Sequence, residues 1–360
     1  PVPFLTFILP IGLSFHTFQA MSYTIEVYRG KQAAERHFGI YALYVMFYPQ
    51  LVAGPIERPQ NLLHQFREHH RLNKEEVKAG LLQMAFGLFK KVVIADRLAL
   101  AVDHGFTNYQ SQSGLSLFIA AVFYSFQIYC DFSGYSDIAI GAARCMGFKL
   151  MTNFNAPYFA RSVTEFWKRW HISLSTWFKD YLYFPLGGSR AARYRVYFNI
   201  FVVFMVSGLW HGADWTFVIW GALHGLFVIT EKTLGTLKRQ LKISQTNNGL
   251  LNGARVLFTF LLVTIAWVFF RAPNIGQAGA ILTKIFTFSG NGIVNLGVNS
   301  NEICFSFILI ILLMLFESRW PKPQLISLNN YAYMLVFAGL LFVCYFFGIF
   351  NYRQFVYFQF

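Results

Sequence analysis

Charge is what this chain is short of. Only 13% of its 360 residues are Asp, Glu, Lys or Arg, about half the share that usually coats a soluble domain. A water-soluble core of this size needs more charged surface than that, so a soluble globular class is excluded. Cysteine is also scarce. Cys130, Cys145, Cys304 and Cys344 fall in or near apolar stretches without paired spacing, and read as small buried hydrophobes, not as a disulfide or metal framework. Several enzyme signatures are missing as well. There is no HExxH, no clustered Cys/His spacing, no Walker A loop, no GxGxxG fingerprint and no GxSxG elbow. A serine nucleophile, ATP coupling and a resident metal therefore lack their usual marks. No fixed-period repeat, low-complexity tract or domain linker divides the chain, which reads as a single membrane domain over residues 1–360. It opens on Pro-Val-Pro-Phe with no signal-peptide pattern, and the expectation is that N-terminal spans precede it.

What is present in abundance is apolar sequence: 56% of residues are hydrophobic and 19% aromatic. Uncharged runs recur at 2–22, 115–130, 196–210, 215–230, 256–270, 303–316 and 331–352. Several approach the roughly 20 residues needed to cross a hydrocarbon core, and shorter ones suit tilted or half spans. The expected fold class is an all-α polytopic membrane protein. The formal charge of +14 does not point to nucleic acid. The basic residues lie between the apolar runs, at 29–36, 58–78, 90–97, 161–195 and 232–242, as cytoplasmic loops do under the positive-inside rule.

Along the chain, the first span is expected to end near Tyr23. The second apolar run is broken by Pro49, Gly54, Pro55 and Pro59, giving a kinked span or a loop folded into the membrane face. Asn73 followed by Glu75 and Glu76 reads as a capped helix start. Asp131 and Asp137 lie in a Gly/Ser-rich stretch, either as intramembrane hydrogen-bonding groups or as caps at a break. Residues 153–190 are too charged for a lipid-facing span and too aromatic for a solvated loop. Interfacial or re-entrant segments fit them best. Residues 196–230 carry basic segments at both ends, so a bent pair of short helices returns both ends to one side, with Gly208, Gly212 and Asp214 supplying the bend.

The stretch SGLWHGADWTFVIWGALHG, residues 207–225, places His211 and Asp214 in that apolar setting. An ionisable group at membrane depth has a task or a partner. Three readings of His211 stand: a hydrogen-bonded core histidine, a metal ligand, or a general base that takes the proton of an attacking hydroxyl. The metal reading is weakest, because His224 is 13 residues on and on another face of a straight helix. Asp214 is near enough to orient the ring, and with Trp210 it is a candidate substrate contact. His171, among Trp167, Trp170 and Trp177, is either an interfacial residue or, with Arg169 and Lys179, part of a site for a phosphate-bearing donor. Glu165 and Asp180 read as partners for neighbouring bases.

The segments PIGLSFHTFQAMSYTIEVYRG, YPQLVAGPIERP, YSFQIYCDFSGYSDIAIG, NFNAPYFARSVTEFWKRWHISLSTWFKDYLYFPLGG and SGLWHGADWTFVIWGALHG, with the closing FFGIFNYRQFVYFQF, resemble the membrane-bound O-acyltransferases in content and order. The likeness is to the bacterial branch that serves alginate, cellulose, peptidoglycan and teichoic acid. It implies a ring of transmembrane helices with central re-entrant segments lining a tunnel. It carries the family's WHG histidine onto His211 and its second histidine onto His171. It further implies acyl transfer, with acetyl-CoA as the expected donor and no tightly bound cofactor, in the inner membrane. The acyl group would pass toward hydroxyls of an extracytoplasmic polysaccharide through a separate partner transferase. Two rivals remain: a polytopic transporter or flippase, and a family member acting on a lipid or protein acceptor.

Overall fold

A computed structural model describes residues 12–241, 248–290, 292–320 and 329–350. Residues 2–11 of the first apolar run, 351–360 of the closing motif and Lys242 of the last basic segment lie outside the described residues. Every regular element among those described is helical.

Helix α1, Leu13–Tyr28, runs a turn beyond the expected end at Tyr23. Its end is set by backbone geometry, not by the edge of the apolar stretch: Gly30 adopts φ +69°, and the Lys31 N–H returns to the Glu26 carbonyl at 2.9 Å, a glycine-closed helix terminus. The proline-rich run that follows forms no complete span. It folds as the short α2, Phe38–Val45, a single 3₁₀ turn, and the one-turn α3, Pro59–Leu62. Tyr44 ties this segment together by donating to the Glu57 carbonyl at 2.8 Å.

Helix α4, Lys74–Leu88, starts where expected, with the Asn73 side chain accepting from the Glu75 and Glu76 N–H groups. It passes into a π-helical stretch, Phe89–Ala95, and continues as α5, Asp96–Thr107. Helix α6, Gly114–Cys145, is one uninterrupted rod of 32 residues. The Gly/Ser-rich stretch therefore does not break it, and the capping reading of Asp131 and Asp137 is overturned. The glycines serve contact instead. A Cβ at Gly87 would stand 2.5 Å from the Gly134 carbonyl, and one at Gly80 would stand 2.6 Å from that of Gly141. Two glycine pairs, seven residues apart on each helix, thus let antiparallel α4 and α6 backbones touch.

The short α7, Val163–Trp167, and α8, Ile172–Phe178, sit in the aromatic, basic stretch and do not span. Helices α9, Arg193–His211, and α10, Trp215–Gln240, pack along each other as an antiparallel hairpin. The expected bend is there, at Gly212. Gly221 lets the hairpin close, since a Cβ there would meet the Phe204 carbonyl at 2.3 Å. The remaining helices are α11, Gly249–Arg271, α12, Ile275–Phe286, α13, Ser300–Arg319, and α14, Asn330–Phe347. Among the described residues, five helices are long and apolar enough to cross a membrane: α6, α10, α11, α13 and α14. Helix α14 buries almost none of its apolar surface within the chain, as suits a lipid-facing span. The main core gathers α5, α6 and α11 around Trp170, Trp220 and Trp267.

Candidate functional site

His211 is the last residue of α9, at the hairpin turn. Aromatic rings hold its imidazole on three sides: Trp210 at 4.7 Å between centroids, Trp220 at 5.0 Å and Phe270 at 5.2 Å. The residue is only 6% exposed, yet it lines a cavity of about 750 Å³. Gly212 leaves no side chain to cover this opening, and Asp214 sits exposed on its rim. An imidazole walled by apolar rings and open on one side can reach a ligand without competing bulk water.

His171 is the second predicted histidine. It starts α8 with φ +41° and ψ +55°, a left-handed conformation rare outside glycine. Strain of this kind costs on the order of 1–3 kcal/mol and persists where surroundings over-determine it. Here the surroundings are two backbone bonds between facing segments, Asn155 N–H to Arg169 O and Ile172 N–H to Asn153 O, each 2.9 Å. The ring's tautomer follows from its partner. The Ser173 N–H points at Asn153 Oδ1 at 3.3 Å, and Asn153 Nδ2 donates to Ser136 Oγ at 3.1 Å. A backbone N–H only donates, so the Asn153 atom facing His171 is the oxygen. His171 Nδ1, 3.1 Å away, is then the protonated nitrogen, and Nε2 carries the lone pair. Trp210 touches both imidazoles, 6.4 Å from His171 and 4.7 Å from His211, and so stands between them. The third histidine, His224, accepts from Trp167 Nε1 at 3.2 Å and is fully buried among aromatics.

The π-helical stretch supplies groups that the sequence did not single out. Its wider turn presents consecutive residues, Lys90 and Lys91, to α6. Lys90 pairs with Asp137 at 2.5 Å and donates to Ser133 at 2.9 Å. Lys91 bridges Asp131 at 2.6 Å and Asp96 at 2.9 Å. Of the two sequence readings of Asp131 and Asp137, the intramembrane hydrogen-bonding one stands. The Lys91 group lines the His211 cavity with Asp103 and Arg271, which pair at 2.8 Å. Spreading a π-turn also leaves a carbonyl without its helical donor, and the Ile349 N–H reaches Val92 O at 2.8 Å.

Arg169 and Lys179 make other contacts than with the His171 ring. Arg169 is held by Glu165 at 2.6 Å, and Lys179 lies exposed over the Phe184 ring at 5.4 Å. The sequence reading of Glu165 and Asp180 matches their pairs, Asp180 meeting Arg58 at 3.0 Å. A second cavity, of about 570 Å³, is lined by Arg29, Lys31 and Arg58 with Glu26 and Asp180, which pair with the two arginines at 3.4 and 3.0 Å. Sequence reasoning missed its three basic side chains because their only signal was the basic density around residues 29–36 and 58–78. The two cavities share no lining residue. They sit toward opposite ends of α9: Asn199 in its first half donates to Leu186 O at 2.9 Å, beside the second cavity, whereas His211 closes its far end.

Residues 5–270 match the model of the MBOAT, membrane-bound O-acyltransferase family. The chain is 44% identical over 282 residues to the Pseudomonas putida protein named "Probable alginate O-acetylase AlgI", covering 78% of this chain and 56% of that protein. It is 38% identical over 321 residues to the peptidoglycan O-acetyltransferase of Helicobacter pylori, covering 82% of this chain and 60% of that one. With the teichoic acid D-alanyltransferase of Bacillus subtilis it shares 27% over 231 residues, 61% of this chain and 58% of that one. The chain thus spans little more than half the length of the relatives it matches.

Proposed function

We propose, from the premise that this chain belongs to the membrane-bound O-acyltransferase family, that it transfers an acyl group from a cytosolic thioester to a hydroxyl, with His211 as general base. One observation carries this reading: among the described residues, the buried His211 lines a cavity of about 750 Å³, and it does so at a hairpin turn whose two ends are basic. The positive-inside rule puts both hairpin ends in the cytoplasm. Helix α9 has 19 residues, about 28 Å of rise, so its far end approaches the opposite face.

In the proposed reaction a hydroxyl enters the His211 cavity and gives its proton to the imidazole as its oxygen attacks the thioester carbonyl. The C–S bond then breaks, and the leaving thiolate takes the proton. A well-placed base of this kind contributes on the order of 10² to 10⁴ in rate. Arg29, Lys31 and Arg58 suit the phosphates of a nucleotide-bearing donor such as acetyl-CoA, guanidinium forks being good phosphate ligands. His171, with its tautomer fixed by Asn153, and Trp210 would orient the thioester between the two ends. The acceptor side would serve an extracytoplasmic polysaccharide of the kind named for the relatives, through a partner transferase. The protein would sit in the inner membrane, embedded as a multi-pass chain.

Inside-out vesicles carrying the full-length protein and its partners, supplied with radiolabelled acetyl-CoA, test the reading. Covalent label should appear on acceptor or partner and fall by about 10² or more in His211→Ala at equal protein level. Undiminished labelling in that variant rejects His211 as the base. A transporter would leave no covalent label at all.

A further inference from the structure

We infer that Tyr124 and Gln127 of α6 form the oxyanion hole of the His211 cavity, donating to the thioester carbonyl oxygen as it takes up charge. This rests on the proposal that His211 is the base, and it supplies a group that the base cannot replace. Attack by a hydroxyl pushes the carbonyl π electrons onto oxygen. His211, engaged with the proton, cannot also meet that oxygen, and in a site shielded from bulk water a fixed donor has to. Tyr124, Gln127 and Asp131 follow one another at three and four residues along α6, so one stripe of that helix faces the cavity.

Two observations single the pair out. Among the described residues, the Tyr124 hydroxyl and Gln127 Oε1 are buried without a hydrogen-bond partner. Both residues nevertheless line the cavity, Tyr124 at 1% exposure and Gln127 at 7%. A buried polar atom left unmet costs stability, and a ligand that meets it in the working state is a physical reason to keep it. The cations of the same wall are engaged, Lys91 by Asp131 at 2.6 Å and Asp96 at 2.9 Å, and Arg271 by Asp103 at 2.8 Å. The Tyr124 ring is packed in the main core, 6.1 Å from the Phe106 ring, so its hydroxyl is held in place. A phenol has one O–H to donate, and a thioester carbonyl only accepts. The Gln127 amide, with no bond fixing its Oε1, can turn its Nε2–H end to the same oxygen. In the step, the attacking oxygen bonds to the carbonyl carbon and its proton passes to His211. The carbonyl oxygen becomes an oxyanion held by the Tyr124 O–H and the Gln127 N–H, neither of which gives up its proton. When the C–S bond breaks, the carbonyl reforms and the thiolate takes the proton from His211.

Full-length protein in nanodiscs with its partners, given radiolabelled acetyl-CoA, puts this to the test in Tyr124→Phe and Gln127→Met. Each variant should lower kcat for acetyl transfer about 10²-fold, the scale of one oxyanion donor, and leave KM for acetyl-CoA within about twofold. Thermal unfolding in the same nanodiscs should show neither variant less stable than the parent, since the atoms removed have no internal partner to strand. A fall in unfolding temperature that parallels the loss of activity makes the pair structural and overturns the inference. So does a raised KM with kcat unchanged, which marks binding of the ground state alone. His211→Ala, measured beside them, separates the two readings. Loss of transfer there, with full transfer in Tyr124→Phe and Gln127→Met, overturns the oxyanion hole and leaves the base standing. Full transfer in His211→Ala rejects the base, and the inference with it.

Discussion

At the scale of single residues, His171 is held in several ways at once. Its left-handed backbone, its buried ring and its bond to Asn153 are three separate restraints on one side chain. Asn153 is the shared anchor, accepting from His171 and from the Ser173 N–H and hydroxyl. Asn153→Leu should therefore cost about 1–3 kcal/mol, the price of leaving buried donors unmet, and should release the imidazole from its tautomer. Thermal unfolding in detergent would show the first effect and the acetyl-transfer assay the second. Full transfer activity in a folded Asn153→Leu protein would leave His171 with a packing role only. The candidacy of His171 was legible in the sequence; its ring neighbours Phe15, Phe132, Phe154 and Trp210 were not. Its tautomer was not, because Asn153 lies 18 residues away and meets it only through the fold.

At the scale of elements, two kinds of contact hold the central helices. Glycine-to-carbonyl approach joins α4 to α6 and α9 to α10, and ion pairs tie α4 and the π-helical stretch to α6. Lys90 and Lys91 reach α6 side by side because of the π-turn, which no periodicity in the apolar pattern announces. Such buried pairs add specificity of register more reliably than stability. At the outer end of the same helix pair, Arg144 binds Glu76. That hydrogen bond holds Glu76 below its ordinary value of 4.5 against the opposing effect of burial, with lesser help from the charges of Arg144 and Lys149. A carboxylate lowered by folding contributes stability that is complete above its unfolded value and is lost as pH falls through the folded one. Detergent-solubilised protein should lose a fraction of a kcal/mol of stability on acidification below about pH 4.5 that Arg144→Gln, already lacking the bond, does not lose. Parallel acid profiles for the two proteins would mean that this pair does not couple α4 to α6.

At the scale of the whole molecule, the cavity of Arg29, Lys31 and Arg58 and the His211 cavity, toward the two ends of α9, make a statement about sidedness. A cysteine at Lys31 should react with an impermeant maleimide only in inside-out vesicles, and one at Ala213 only in intact cells, in a background where exposed Cys304 is Ser. Labelling of both positions from one side would contradict a hairpin that turns near the far face. It would also remove the route by which donor and acceptor meet from opposite compartments.

Composition and charge distribution were enough to establish a helical membrane protein, because burying or exposing so little charge leaves few other solutions. Local pattern was enough for the Asn73 cap, the α9–α10 bend and the candidacy of His211, since each is written within a few neighbouring residues. The cavity of Arg29, Lys31 and Arg58 and the Lys–Asp pairing between the π-helical stretch and α6 were decided by tertiary structure alone. Each depends on which helix faces meet at distances set by glycine contacts and a π-turn. A sequence lists those residues but does not say which of them share a wall.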